Sequence, residues 1–157
     1  MIIISLLIVL IFISLIFVFK KTNRIKKQYS LLDIAKYIVF KYEVNNIQLQ
    51  KTLLYLQIQF YNKYEYLLFK ESFILQGKYF ILESIYLYFC GFGSMTITYK
   101  FPFNIPLDND LCIFINDELD NTLYREIDIV YSQLYTINKT IITFNDIINF
   151  YIKKKGH

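Results

Sequence analysis

The stretch Asn46-Ile-Gln-Leu-Gln-Lys-Thr-Leu-Leu-Tyr-Leu-Gln57 and its continuation to about residue 62 decide how this chain folds. On a wheel of about 100° per residue, Leu49, Leu53, Leu56 and Phe60 fall within about 60° of one another. Ile47, Leu54, Ile58 and Tyr61 form a second apolar sector roughly opposite. A helix that is apolar on two sides must be covered on two sides, so residues 47–62 are expected to form the central helix of the body. Gln50 and Gln57 share one seam between the sectors, Lys51 borders the second sector, and Tyr55 begins the other seam.

Upstream, Ser30 followed by Asp33 is an S-x-x-D helix start, and Leu31, Ile34, Ala35, Ile38 and Tyr42 then recur at helical spacing. A helix over about 31–43 follows, broken by Asn45-Asn46, which can also cap the next one. Downstream, 64–79 reads as a connection with a short strand at 73–75 ended by Gly77, and 79–90 as an apolar helix stopping at Gly91. Met95 to Tyr99 alternates like a short strand, and Pro102 and Pro106 mark a loop. Asp117 with Asp120 can start a helix to about 134 or 135, and Thr143 with Asp146 a last one whose terminal lysines suit its C-terminal dipole. The expected fold is mostly α with minor β: one small helical domain, 30–157, carrying one or two short strands.

Ahead of that domain, Ile2 to Phe19 runs for 18 residues with only Ser5 and Ser14 polar and no charge. As a helix it spans about 27 Å, close to the roughly 30 Å hydrocarbon core of a bilayer. No basic residue precedes it and no small-residue cleavage site follows, which argues for a retained anchor over a signal peptide. Residues 1–20 are therefore expected to be a transmembrane anchor and 21–29 a basic juxtamembrane segment. Lys20, Lys21, Arg24, Lys26 and Lys27 directly after the span favour a single-pass cell-membrane protein with its C-terminal domain in the cytoplasm. The same five side chains are candidates for the membrane surface. Cys90 and Cys112 form no C-x-x-C and sit in apolar stretches, as reduced thiols would.

The charge is unevenly placed. The net charge is +4, yet eight of the 17 basic residues lie in 20–27 and 153–155, while all 13 acids fall between, leaving that body at about −4. Nucleic-acid binding needs basic charge on a folded face, so that class is excluded. With 15 Lys to two Arg, one Ala, no Trp and 15 each of Tyr and Phe, the composition is what A+T-rich codons produce, and the aromatic load need not be a base-stacking platform. His157 is the only histidine and the last residue, which removes His-based metal sites and Ser-His or Cys-His catalysis. Asp108 with Asp110, and Asp117, Glu118 and Asp120, read as turn acids and helix caps. Gly91-Phe92-Gly93 is a turn, short of a phosphate loop. Nothing points to an enzyme, a metal or a cofactor.

Asp33-Ile-Ala-Lys-Tyr-Ile-Val followed by the Asn46–Gln57 stretch resembles the opening of the Panacea (SocA-like, phage-associated) antitoxin domain. Asp33, Ala35 and Tyr37 match that family's first helix. Leu49, Gln50, Lys51, Leu54, Tyr55 and Gln57 match its second, with Ile47 in place of the first leucine. Leu68-Phe69, Phe73, Gly77, Tyr86, Phe89 and Gly91 look like later landmarks, so the resemblance covers about 31–91. Lys78 stands where the family usually has proline, and the family's usual Trp has no counterpart. The resemblance implies a protein-binding module that neutralises a toxin-like partner by direct contact. Its motif residues Asp33, Gln50, Lys51, Tyr55 and Gln57 are the candidate partner-binding set, while Leu49, Leu54 and Tyr86 are expected in the core. Gln50, Lys51 and Gln57 can alternatively form a buried polar network. The competing function is a small structural or accessory subunit of a membrane complex in an A+T-rich bacterium, without toxin neutralisation.

Overall fold

The computed structural model describes residues 29–98, 105–122, 124–134 and 141–155, so the expected anchor at 2–19 and the basic cluster Lys20, Lys21, Arg24, Lys26 and Lys27 lie outside the described residues. Among the described residues, no helix is long and apolar enough to cross a membrane. What is described is mostly helical with one small antiparallel sheet.

Helix α1, Leu31–Lys41, starts as the S-x-x-D signal requires: the Asp33 backbone N–H donates to Ser30 Oγ at 3.3 Å. Helix α2, Asn46–Tyr64, opens with a capping box. The Gln48 N–H donates to Asn45 Oδ1 and the Asn45 N–H to Gln48 Oε1, each at 2.9 Å, so two otherwise orphaned donors satisfy one another's residues. The sandwiched position of α2 is confirmed: residues 52–58 are all buried, and α2 packs against α1 and four elements further along the chain.

The apolar run after residue 72 departs from the expected helix over 79–90. Its first part pairs as a hairpin, β1 Phe73–Gln76 with β2 Tyr79–Ile81, and only Glu83–Tyr88 is α-helical (α3), followed by a 3-10 turn at Cys90–Phe92. The two-residue loop explains this. Gly77 takes φ +61° at its first position, the left-handed conformation that a tight hairpin turn of the II′ kind needs there. Met95–Tyr99 also differs from the expected strand: its described part makes one isolated bridge, Asn45 to Thr96.

Asp117 and Asp120 do not begin a helix. They sit at the end of α4, Asn109–Asp120, whose start is Asp108, and α5, Tyr124–Leu134, follows a break at Asn121 and Thr122. Thr143 and Asp146 do begin the last helix, α6, Phe144–Lys155, with Asp146 Oδ2 accepting from the Thr143 N–H at 3.0 Å and from Thr143 Oγ1 at 2.7 Å. Just before it, β3, Ile141–Ile142, joins the free edge of β1, giving the order β2-β1-β3 and three strands where one or two were expected.

With a single alanine available, aromatic rings fill the core. Phe69, Phe73, Phe80, Phe89 and Phe114 are among the largest fully buried side chains. The Phe60 ring lies 4.6 Å from Tyr64, 5.1 Å from Tyr66, 5.2 Å from Phe114 and 6.3 Å from Tyr29, mostly edge to face, which locks the C-terminal end of α2 onto α4.

Candidate functional site

The five candidate residues separate into two groups by the face of α2 or α1 that carries them. Gln50 and Gln57 occupy one seam of α2 and are each only 1% exposed. Gln57 clamps the chain where it leaves the connection after α2. Its Nε2 donates to Phe69 O at 3.0 Å, and its Oε1 accepts from the backbone N–H groups of Leu68 at 3.1 Å and Phe69 at 3.3 Å. Gln50 does the same further toward the N-terminus: Oε1 accepts from the Leu82 N–H at 2.8 Å, and Nε2 donates to Asn46 Oδ1 at 3.3 Å. Asn46 in turn donates from Nδ2 to Tyr86 O at 2.9 Å. A segment without regular structure can be buried only if its peptide groups find partners, and these amides supply them.

Gln50 and Gln57, named as candidate partner contacts, are thus engaged inside the chain. Both are buried and bonded within the chain, as the polar-network alternative had it, and neither amide faces outward. Asn46 belongs to the same set. Its position four residues before Gln50 and eleven before Gln57 puts all three within about 40° on the helical wheel, a signal legible in the spacing.

Lys51 and Tyr55 lie on another face of α2, toward α5 and the joint before it. Lys51 Nζ meets Asp128 Oδ1 at 2.6 Å and stands 5.3 Å from the centre of the Tyr131 ring. Tyr131, missed in the sequence, is buried, packs edge to face on Phe80 at 5.8 Å, and accepts from the Phe80 N–H through its hydroxyl. Lys51 thus ties α2 to α5, and Tyr131 ties α5 to β2. The Tyr55 hydroxyl shares a hydrogen bond with Thr122 Oγ1 at 3.1 Å. Burial holds its pKa above the ordinary phenol value; the Thr122 bond works against this, and Glu118 and Glu126 add to the rise. Asp33 sits half-buried in the first turn of α1, where its charge suits the helix dipole. Leu49 and Leu54 are core residues as expected, whereas Tyr86 is half-buried.

A polar seam also joins α1 to α4. Tyr37 Oη donates to Asn116 Oδ1 at 3.0 Å and Tyr42 Oη to Asp120 Oδ1 at 2.8 Å, while Lys41 pairs with Asp120 at 3.6 Å. Burial is the main reason the Tyr37 hydroxyl is also held above its usual pKa. Asp120 is therefore a tie between helices, and Asp117 lends its backbone carbonyl to Asn121 Nδ2 at 2.9 Å. Cys90 and Cys112 are both free thiols. Among the described residues, no group of three or more metal-ligating side chains comes together.

The surface carries what the motif residues do not. Phe40 is 64% exposed, Leu87 60%, Tyr88 47% and Met95 67%. All four belong to segments that converge where α1 turns into α2. Phe40 is at the end of α1, and Lys36, one turn before it, lies 5.6 Å from the Tyr88 ring centre. The carbonyl of Tyr86 is held by Asn46, and the Ile97 N–H donates to Val44 O at 2.9 Å, which brings α3 and the Met95 segment to the same corner. Sequence periodicity could not single these residues out, because Phe40, Leu87 and Tyr88 share apolar stretches with the buried Ile38, Val39, Ile85 and Phe89.

Compared with known protein families, curated proteins and solved structures, the chain shows no match to any of them.

Proposed function

We propose that this chain is a membrane-anchored, cytoplasm-facing protein-interaction module, antitoxin-like in the sense of the Panacea family that residues 31–91 resemble, and that it takes its partner at the α1–α2 corner. The observation that supports this reading is the exposure of Phe40, Leu87, Tyr88 and Met95. Fully burying a side chain of this kind is worth about 1.5–3 kcal/mol, and that free energy is available to a partner that covers the corner. The rigid scaffold beneath is consistent with such a role. Gln50 and Asn46 fix α3 and the β2–α3 connection to α2, so the corner is presented in one conformation and less ordering entropy is lost on binding.

The test is affinity purification of the full chain from native membranes in mild detergent, alongside a Phe40→Glu, Met95→Glu double variant with the wild-type far-UV circular dichroism. A specific partner recovered with the wild type and lost with the variant supports the reading. Recovery of the same partner with both places the contact elsewhere, and recovery of no specific partner overturns the module itself. A captured protein whose toxicity is relieved by coexpression distinguishes the antitoxin-like role from that of an accessory subunit in a membrane complex.

A further inference from the structure

A cavity of about 50 Å³ lies between the end of α1, the middle of α2 and the α4–α5 joint, lined by Ile38, Tyr42, Val44, Thr52, Leu119, Thr122 and Ile127. Most of this wall is apolar. Tyr42, Thr52 and Thr122 bring hydroxyls to it; Thr52 is 2% exposed, and among the described residues its Oγ1 is the one buried side-chain oxygen or nitrogen with no hydrogen-bond partner in the chain. A hydroxyl buried in that way costs about 1–3 kcal/mol unless something bonds to it. Valine would fill the same space without that cost, so the hydroxyl calls for a partner from outside the chain.

We infer that this cavity is a binding site for one ordered water molecule, held between Thr52 Oγ1 on α2 and Thr122 Oγ1 at the α4–α5 joint. The volume admits water and excludes an organic guest. A water occupies about 30 Å³ in the liquid and needs at least two polar partners, whereas the cavities that admit a benzene-sized guest are about 150 Å³. Thr52 and Thr122 provide those two partners, both lining the same space. One orientation of the hydroxyls serves such a bridge. When Tyr55 Oη donates to Thr122 Oγ1, across their 3.1 Å contact, the Thr122 proton is left to point at the water, which then donates one of its own to Thr52. The water extends the Tyr55–Thr122 bond inward and fastens the break between α4 and α5 to the central helix. A bridge from Thr52 adds a second tie between the joint and α2, beside the direct Tyr55–Thr122 bond.

The experiment uses the full chain with methyl-labelled Val and Ile, and reads water-to-methyl cross-relaxation at Val44 and Ile127, with urea unfolding in parallel. The wild type is expected to show cross-peaks of the sign of a bound water, and Thr52→Ser is expected to keep them. Thr52→Val is expected to lose them and to shift the unfolding equilibrium against the folded state by about three- to tenfold, the range of one hydrogen bond. No cross-peak in the wild type, its persistence in Thr52→Val, or its loss in Thr52→Ser each overturns the inference. So does a Thr52→Val variant as stable as the wild type or more so, which is the result for a hydroxyl buried with no partner at all. Should Thr52→Val fail to fold, the wild type and Thr52→Ser decide the matter by their cross-peaks alone.

Discussion

Replacing Gln57 by leucine keeps a side chain of comparable bulk and a strong helix former while deleting one amide. Three backbone groups lose their partner together: the N–H groups of Leu68 and Phe69 and the carbonyl of Phe69. Leu68 and Phe69 are each 0% exposed, so water does not replace the amide without the segment moving outward. At about 1–3 kcal/mol for each buried group left unsatisfied, the three together should cost about 3–9 kcal/mol, less where the segment relaxes to recover a partner, and so a large share of the roughly 5–15 kcal/mol that holds a small domain together. The assay is urea unfolding of the purified chain followed by far-UV circular dichroism, which suits a protein without tryptophan. With a slope of roughly 1–3 kcal/mol per molar urea, the midpoint should fall by about 2 M. A loss under about 1 kcal/mol would refute the reasoning, because it would mean that the clamp is dispensable. Gln57→Glu supplies the sign check. A carboxylate can accept both N–H groups but has no proton to offer the Phe69 carbonyl, so the folded state favours the protonated acid and raises its pKa above the unfolded value of about 4.3. The variant should therefore be most stable below about pH 4 and lose stability as the pH rises through the folded-state pKa.

Two further outcomes follow from the polar ties between helices. Lys51→Glu sets a second carboxylate against Asp128 and should destabilise by about 1 kcal/mol or less at low salt, and the Lys51→Glu, Asp128→Lys pair should recover most of that loss in a double-mutant cycle. A cycle with no coupling would show that the pair contributes nothing. At Glu118, burial raises the carboxyl pKa, partly offset by Lys63 and reinforced by Asp117, so the folded state binds its proton more tightly than the unfolded one. Stability from this group is present below the unfolded pKa and declines as the pH climbs through the folded value. Glu118→Gln should flatten that slope in urea titrations between pH 4 and 7, and an unchanged slope would place its origin elsewhere.

The central helix was legible because its signal was redundant. Two apolar sectors, an Asn pair at its start and a length of more than four turns all point to one sandwiched element, and α1 was equally plain from Ser30 and its spacing. The strand ending before Gly77 was legible, but its partner at 79–81 was not, for a physical reason: a short apolar run such as Tyr79–Leu82 fits a buried strand as well as a buried helix, and the deciding fact is the two-residue Gly77-Lys78 loop. At α4, Asp117 and Asp120 looked like caps because acids favour helix starts, yet here they bond to groups on α1 and in the α4–α5 joint, which no local pattern encodes. The candidate site divided along the same line. The seam position of Gln50 and Gln57 could be read from the wheel, but whether a seam faces solvent or a backbone segment 11 to 32 residues away depends on how the chain returns. The exposed set at the α1–α2 corner is defined by what does not cover it, and composition is silent on that.

The placement of β3 also sets a schedule for synthesis. β1 lies between β2, available a few residues later, and β3, whose Ile142 pairs with Phe73 across 69 residues of chain. At roughly 5–20 residues per second, a ribosome needs about 3–14 s to deliver that second partner. During this interval the edge of β1 that β3 later covers stays open, a template for pairing with a neighbouring nascent chain. Spacing between ribosomes on one message, or a chaperone that shields the hairpin, would then bear on the yield of this protein.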